Sequence, residues 1–250
     1  MIEKTFTSIF DDLDRHQILD LAKNGARLSI VTGVLTIIFE LISLPTIFAL
    51  CNEKGGKLLY QQAILFNLRN HFLVGIPIYT IVVPLFCQKI SLGTNGHFLF
   101  FSMLRVMEIV LVHSILYYAV HKAFHTYPNL YVYHKFHHRF NTYVPPVAAN
   151  AVSFVEYLFA YIIPFAVATA IISPFEEELQ IAVIIVSISN LLVHTPLLES
   201  MSKDLWPIFV STHKHIEHHR KLTVNYAAPT VNVDWILEKI HVSTPSKTKL

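Results

Sequence analysis

Cysteine is nearly absent from this chain of 250 residues, which has only Cys51 and Cys87. Two thiols cannot build an iron–sulfur cluster or a thiolate zinc site, each of which takes about four protein ligands. The two lie at opposite ends of adjacent apolar segments, about 30 Å apart if those segments cross a bilayer. A disulfide between them is then excluded, and both are expected to be packing residues. Charge is scarce as well: Asp, Glu, Lys and Arg make up 14% of the chain while 53% is hydrophobic, and a soluble domain carries about a quarter charged residues. That is the composition of a membrane protein. The formal net charge of +2, with no basic face, excludes nucleic acid as a partner. No Gly/Ser linker, low-complexity tract or internal repeat divides the chain, and no N-x-[ST] acceptor exists to report on topology.

What the chain has in excess is histidine, 15 residues of 250. Eight fall into three clusters: His121 and His125 in HKAFH, His134, His137 and His138 in HKFHH, and His215, His218 and His219 in HIEHH. Residues three or four apart share a helix face, so each cluster is expected to aim two or three imidazoles at one point. All-imidazole coordination suits zinc, copper, iron or nickel. One ion with an open position takes about four protein ligands at most, so eight histidines imply two ions or a large excess, and two ions is the economical reading. A histidine-held pair of irons at a membrane surface is suited to activating dioxygen against a lipid C–H bond.

Residues 1–27 alternate Asp11, Asp12, Asp14 and Asp20 with Phe6, Ile9, Phe10, Leu13, Ile18 and Leu21. This spacing predicts an amphipathic helix on the membrane or on the rest of the protein, without the order of a signal peptide. Apolar segments follow at 28–50, 71–87, 98–120, 148–172 and 179–192; the second is short and holds Pro77 and Pro84, and so reads as a kinked span or partial hairpin. Residues from 199 onward are expected outside the lipid. The third segment runs straight into His121, and Tyr127-Pro128-Asn129 separates the first two clusters. Both histidine regions then share the side that carries Lys54, Lys57, Lys122, Lys135, Arg139 and Arg220 rather than Lys89, which the positive-inside rule assigns to the cytosol. Short spans fit the thin endoplasmic reticulum membrane.

The order HxxxH (121–125), HxxHH (134–138), HxxHH (215–219), interleaved with spans, resembles the fatty acid hydroxylase/sterol desaturase superfamily, whose members include cholesterol 25-hydroxylases, sterol C4-methyl oxidases and sterol C5-desaturases. The resemblance covers roughly residues 98–235. YHKFHH followed by Pro145 and Glu156, and HHRKLTVNYA, are closest to the sterol branch. His194 in LLVHTP occupies the place of a further family histidine. The chain departs from the family at Thr195-Pro196, at Lys214 with His213 one residue upstream, and in its reduced closing signature at 233–237. The resemblance implies an all-α polytopic membrane protein with about four to five transmembrane or hairpin helices, an N-terminal hairpin region at 1–97 and a catalytic region at 98–250 with a cytosolic helical cap. It implies two non-heme irons held by the eight box histidines together with His194 and His213, dioxygen as oxidant, and electrons from NAD(P)H through cytochrome b5 or its reductase. The substrate would be a membrane lipid, a sterol first, a fatty acyl or sphingolipid second, with desaturation as a variant. A non-catalytic metal-binding relative is the other reading.

Further expectations are local. His113 should hydrogen-bond to a neighbouring helix, Arg105 should pair with Glu108, and Glu40 should make a polar contact within the bundle. Glu156 and Asp234 are candidate partners for ligand histidines. Tyr131, Tyr133, Phe136, Phe140 and Tyr143 should seat the cap at the membrane interface, and His16, His71, His97 and His241 should be superficial.

Overall fold

The computed structural model describes residues 13–88 and 96–243; Asp11, Asp12, Phe6, Ile9, Phe10 and Lys89 lie outside them, as does the side chain of His97. Among the described residues all regular structure is helical. Helix α1 (Arg15–Ile42) begins at a capping box in which the Asp14 carboxylate accepts from Gln17 N at 2.8 Å and Asp14 N donates back to Gln17 Oε1. The expected boundary at residue 28 is absent, because nothing there breaks a helix; the described end of the amphipathic stretch, from Arg15, and the first span form one rod about 42 Å long. It stops at Ser43, before Pro45 opens α2 (Leu44–Asn52).

The second span is also longer than the sequence indicated. Helix α3 runs from Gly56 to Phe86. Its turn Arg69–Gly75 is π-helical and lies immediately before Pro77, where the ladder loses a donor. Helix α4 (Gly96–Thr126) is followed by α5 (Pro128–His134), with Pro128 in the first turn where its missing N–H costs nothing. Helix α6 (Phe154–Ile172) repeats the π device at Tyr157–Ile162, just before Pro164. Helix α7 (Glu176–Val193) carries three glutamates in its first turn, and α8 (Thr212–Lys221) and α9 (Val233–Ser243) complete the chain. Among the described residues four helices, α1, α3, α4 and α6, are long and apolar enough to cross a membrane.

Helix α4 packs against α6 and α7, and α1 against α3 and α7. Gly25 lets α1 approach α3 closely: a Cβ there would stand 3.2 Å from Tyr79 Cδ1. Arg105 pairs not with Glu108 but with the buried Glu178 of α7, through two bonds of 2.8 Å, because a bidentate partner across the helix pair is better than a neighbour one turn along. His113 is buried against Phe165, with ring centroids 4.2 Å apart, and neither ring nitrogen is hydrogen-bonded; the expected polar bond is replaced by aromatic packing. Phe140 is buried in the core with Val144 and Ala148 rather than at an interface.

A largely non-α stretch lies inside the bundle. Residues 144–152 are all buried around the short 3₁₀ turn Pro146–Asn150, and several of their carbonyls are taken by side chains from other elements. Asn67 Nδ2 donates to Val147 O at 2.6 Å, Asn70 Nδ2 to Asn150 O and Val152 O, and Arg69 to Val152 O. Tyr161 Oη and Asn190 Nδ2 both donate to Ala149 O, while Val147 N donates to Glu40 at 2.6 Å. Glu40 also accepts from Tyr60. The polar residues of the apolar spans thus satisfy a buried loop.

Candidate metal centre

Helix α4 carries His121 and His125 one turn apart at its C-terminal end. The break at Tyr127 turns the chain back so that α5 brings His134 against them. The helix then ends, and a 3₁₀ turn (His137–Arg139) redirects His137. Helix α8 supplies the third cluster, and His194 caps α7.

These nine imidazoles form two groups, not one point per cluster: His121, His125, His134, His138 and His218 in the first, and His137, His194, His215 and His219 in the second. Each HxxHH cluster gives its two histidines four residues apart to one group and its remaining histidine to the other. All nine are buried except His125, which is half-buried. His213 is not brought in. Two residues from His215 on one helix, it points to the opposite side and stands 3.6 Å from Glu199.

The ring orientations are set from behind. Nδ1–H of His121 donates to Tyr226 O at 2.7 Å, that of His137 to Ala148 O at 3.1 Å, that of His194 to Asn190 O at 2.7 Å and that of His218 to Val224 O at 2.7 Å. His134 Nδ1–H donates to the buried Glu156 carboxylate at 2.6 Å, the partnership expected for Glu156. Asp234 acts one step further out: it accepts from Ala227 N at 2.6 Å, beside Tyr226. A carbonyl only accepts, so Nδ1 of His121, His137, His194 and His218 carries the proton and leaves a bare lone pair on Nε2, and an ionised Glu156 sets the same tautomer on His134.

Those lone pairs converge. Nε2 of His134 lies 3.0 Å from Nε2 of His121, 3.0 Å from that of His125 and 2.8 Å from that of His138. In the second group Nε2 of His194 lies 3.0 Å from that of His215, 3.3 Å from that of His219 and 3.5 Å from that of His137. Two nitrogens each about 2.1 Å from one ion stand about 3.0 Å apart at a right angle and about 3.4 Å apart at the tetrahedral angle. Facing lone pairs at such distances repel unless a cation lies among them, so the donor set fits one metal ion per group. Burial first, and neighbouring imidazoles second, hold His138, His215 and His219 well below the ordinary histidine range; burial brings His194 and His218 down to about 4. They are neutral at pH 7, the form that binds metal.

The anchoring carbonyls carry no side-chain identity and so leave no trace in the sequence. Asn190 was detectable as a polar residue in the apolar segment 179–192, whereas Asn67 and Asn70 lie just before the segment read at 71–87.

An all-helical multi-pass membrane protein with two buried polyhistidine groups is a metal-binding membrane protein. The model of the fatty acid hydroxylase family matches residues 106–239, more than half of the chain, and the chain belongs to that family, which makes it a membrane lipid hydroxylase or desaturase in type. No curated protein and no solved structure matches it.

Proposed function

We propose that the chain is a non-heme di-iron monooxygenase that hydroxylates a C–H bond of a membrane lipid, a sterol before a fatty acyl or sphingolipid chain. The observation that carries this reading is the division of nine imidazoles, eight of them buried, into groups of five and four. The first group would hold one iron and the second the other, with His213 left to its ion pair. The departures at Thr195, Pro196 and Lys214 remove none of the nine.

Iron, when bound, supplies the two-electron activation of dioxygen that C–H hydroxylation needs, in the balance R–H + O2 + 2e⁻ + 2H⁺ → R–OH + H2O. The protein's own residues do the rest. Carbonyls of Tyr226, Ala148, Asn190 and Val224, with the Glu156 carboxylate, hold five rings in one tautomer and one orientation. Burial excludes water from the centre and so limits unproductive loss of oxidising equivalents. His125, the one half-buried imidazole, marks the more open side. Electrons would come from NAD(P)H through cytochrome b5 or its reductase. Lys122, Lys135, Arg139 and Arg220 near the histidine end favour the cytosolic side of the endoplasmic reticulum membrane for the cap. The division into 1–97 and 98–250 would then be one of labour, with Glu40, Asn67 and Asn70 of the first part bracing the loop that anchors His137.

Untargeted sterol and fatty-acid profiling of cells with the wild-type chain or with His137→Ala tests this. New hydroxysterols that vanish in H137A support it. Hydroxy fatty acids beside an unchanged sterol profile would overturn the sterol assignment, and no lipid change would favour a non-catalytic metal-binding relative.

A further inference from the structure

Between α7 and α8 the chain crosses residues 196–209 with an unusual distribution of side chains. Met201 is 78% exposed, Trp206 69% and Leu197 62%, and Leu205 and Phe209 are exposed with them. This stretch is no loose flap. Its polar groups tie it to the cap: Glu199 takes two bonds from Arg220 at 2.6 and 2.9 Å, His213 N donates to Ser202 Oγ at 3.1 Å, and Asn232 Nδ2 donates to Pro207 O at 2.8 Å. The segment is therefore held in place with its large apolar side chains turned outward, which is costly in water.

Behind it runs a groove of about 420 Å³, lined by Met201, Leu205 and Phe209 on one side and by Val110 of α4 and Ile185 and Leu192 of α7 on the other. That volume lies within the range of small-molecule sites. The outer face of α4 below Val110 is apolar and exposed at Met103 and Met107, so the patch continues the flank of a membrane-spanning helix. The charges nearby are few: Lys203 is offset by its neighbour Asp204, Glu199 is neutralised by Arg220, and Glu108 on the flank of α4 lies three residues from Arg105. Trp206 at the end of such a flank has the amphipathic character of interfacial anchors.

We propose that residues 196–209 form a strap seated in the bilayer interface, and that the groove behind the strap holds the apolar body of a bilayer lipid. This revises the expectation that everything from 199 onward lies outside the lipid. Val193 and Thr212 form the inner wall, one residue before His194 and one turn before His215 in the chain; no imidazole lines the groove itself. Only the use of that lipid as substrate rests on the proposed function; the seat in the bilayer does not.

Trp206 and Trp235 are the two tryptophans of the chain, so W235F leaves Trp206 as a single reporter. In phosphatidylcholine vesicles with brominated acyl chains, Trp206 should lose most of the emission it shows in unbrominated vesicles, and that emission should be blue-shifted. A tryptophan in the groove, placed by F209W in a W206F/W235F background, should be quenched likewise. Unquenched emission at the wavelength of a hydrated indole would overturn the proposal. So would unquenched but blue-shifted emission, which would mean that a second copy or another protein covers the strap. Metal content measured on the same samples reports separately on the imidazole groups, so failure of either reading is distinguishable.

Discussion

Replacing Glu156 with leucine separates metal binding from folding. Glu156 Oε1 accepts from His134 Nδ1 at 2.6 Å, both groups are buried, and Glu156 Oε2 has no hydrogen-bond partner. Removing the carboxylate frees the His134 ring to change tautomer, which puts a proton where the lone pair faces His121, His125 and His138. Losses of such supporting partners cost about 10–100-fold in metal affinity, or about 1.4–2.8 kcal/mol. Fold stability should move little, because the loss of a half-satisfied buried carboxylate offsets the newly unpaired His134 Nδ1–H. Glu156→Gln should lose less affinity than E156L, since its amide oxygen still accepts from His134. Chelator competition on purified protein, beside thermal unfolding of the metal-free form, reads both quantities. An unchanged competition midpoint in E156L would refute the idea that Glu156 fixes His134 for a metal.

The other predictions act on different parts of the bundle. Arg105→Ala leaves the buried Glu178 without its bidentate partner and should cost toward the lower end of about 3–5 kcal/mol in detergent unfolding, because Arg105 itself is partly exposed. Asn67→Leu orphans the buried Val147 carbonyl and should destabilise by about 1–3 kcal/mol; no change would mean that the loop at 144–152 is braced some other way. His213→Ala should leave metal content unchanged, while His218→Ala and His215→Ala should each weaken retention of a different ion. For the metal-free protein, His194 and His218 have folded pKa values brought down to about 4 from 6.5. The unfolded chain binds protons that the folded one refuses, so stability is full above about 6.5 and falls as pH drops toward 4. Chemical unfolding between pH 7.5 and pH 5 checks the sign.

The eight cluster histidines, His194 and Glu156 were legible in the sequence because each is a rare side chain at helical spacing or at a span end. The partition into two groups was not. Helical periodicity puts His134, His137 and His138 near one another, but the 3₁₀ turn after His134 decides which way His137 faces, and no residue there announces it. His213 looked like a neighbour of His215 on the one-dimensional chain and lies across the helix from it. The second span was read from residue 71 because Lys57, Gln61, Gln62, Arg69 and Asn70 make 56–70 look polar, whereas one helix runs from Gly56 through the π-helical turn and Pro77 to Phe86. The second half of the loop, 148–152, read as the start of a span because Ala148, Ala149, Ala151 and Val152 are apolar; the loop's donors come from residues about 80 positions away.

The most direct test is the number of metal ions held by the purified full chain. Two per chain, with iron retained under anaerobic isolation, is what two groups of five and four imidazoles require. A protein that is folded and binds one ion, or none, would contradict it.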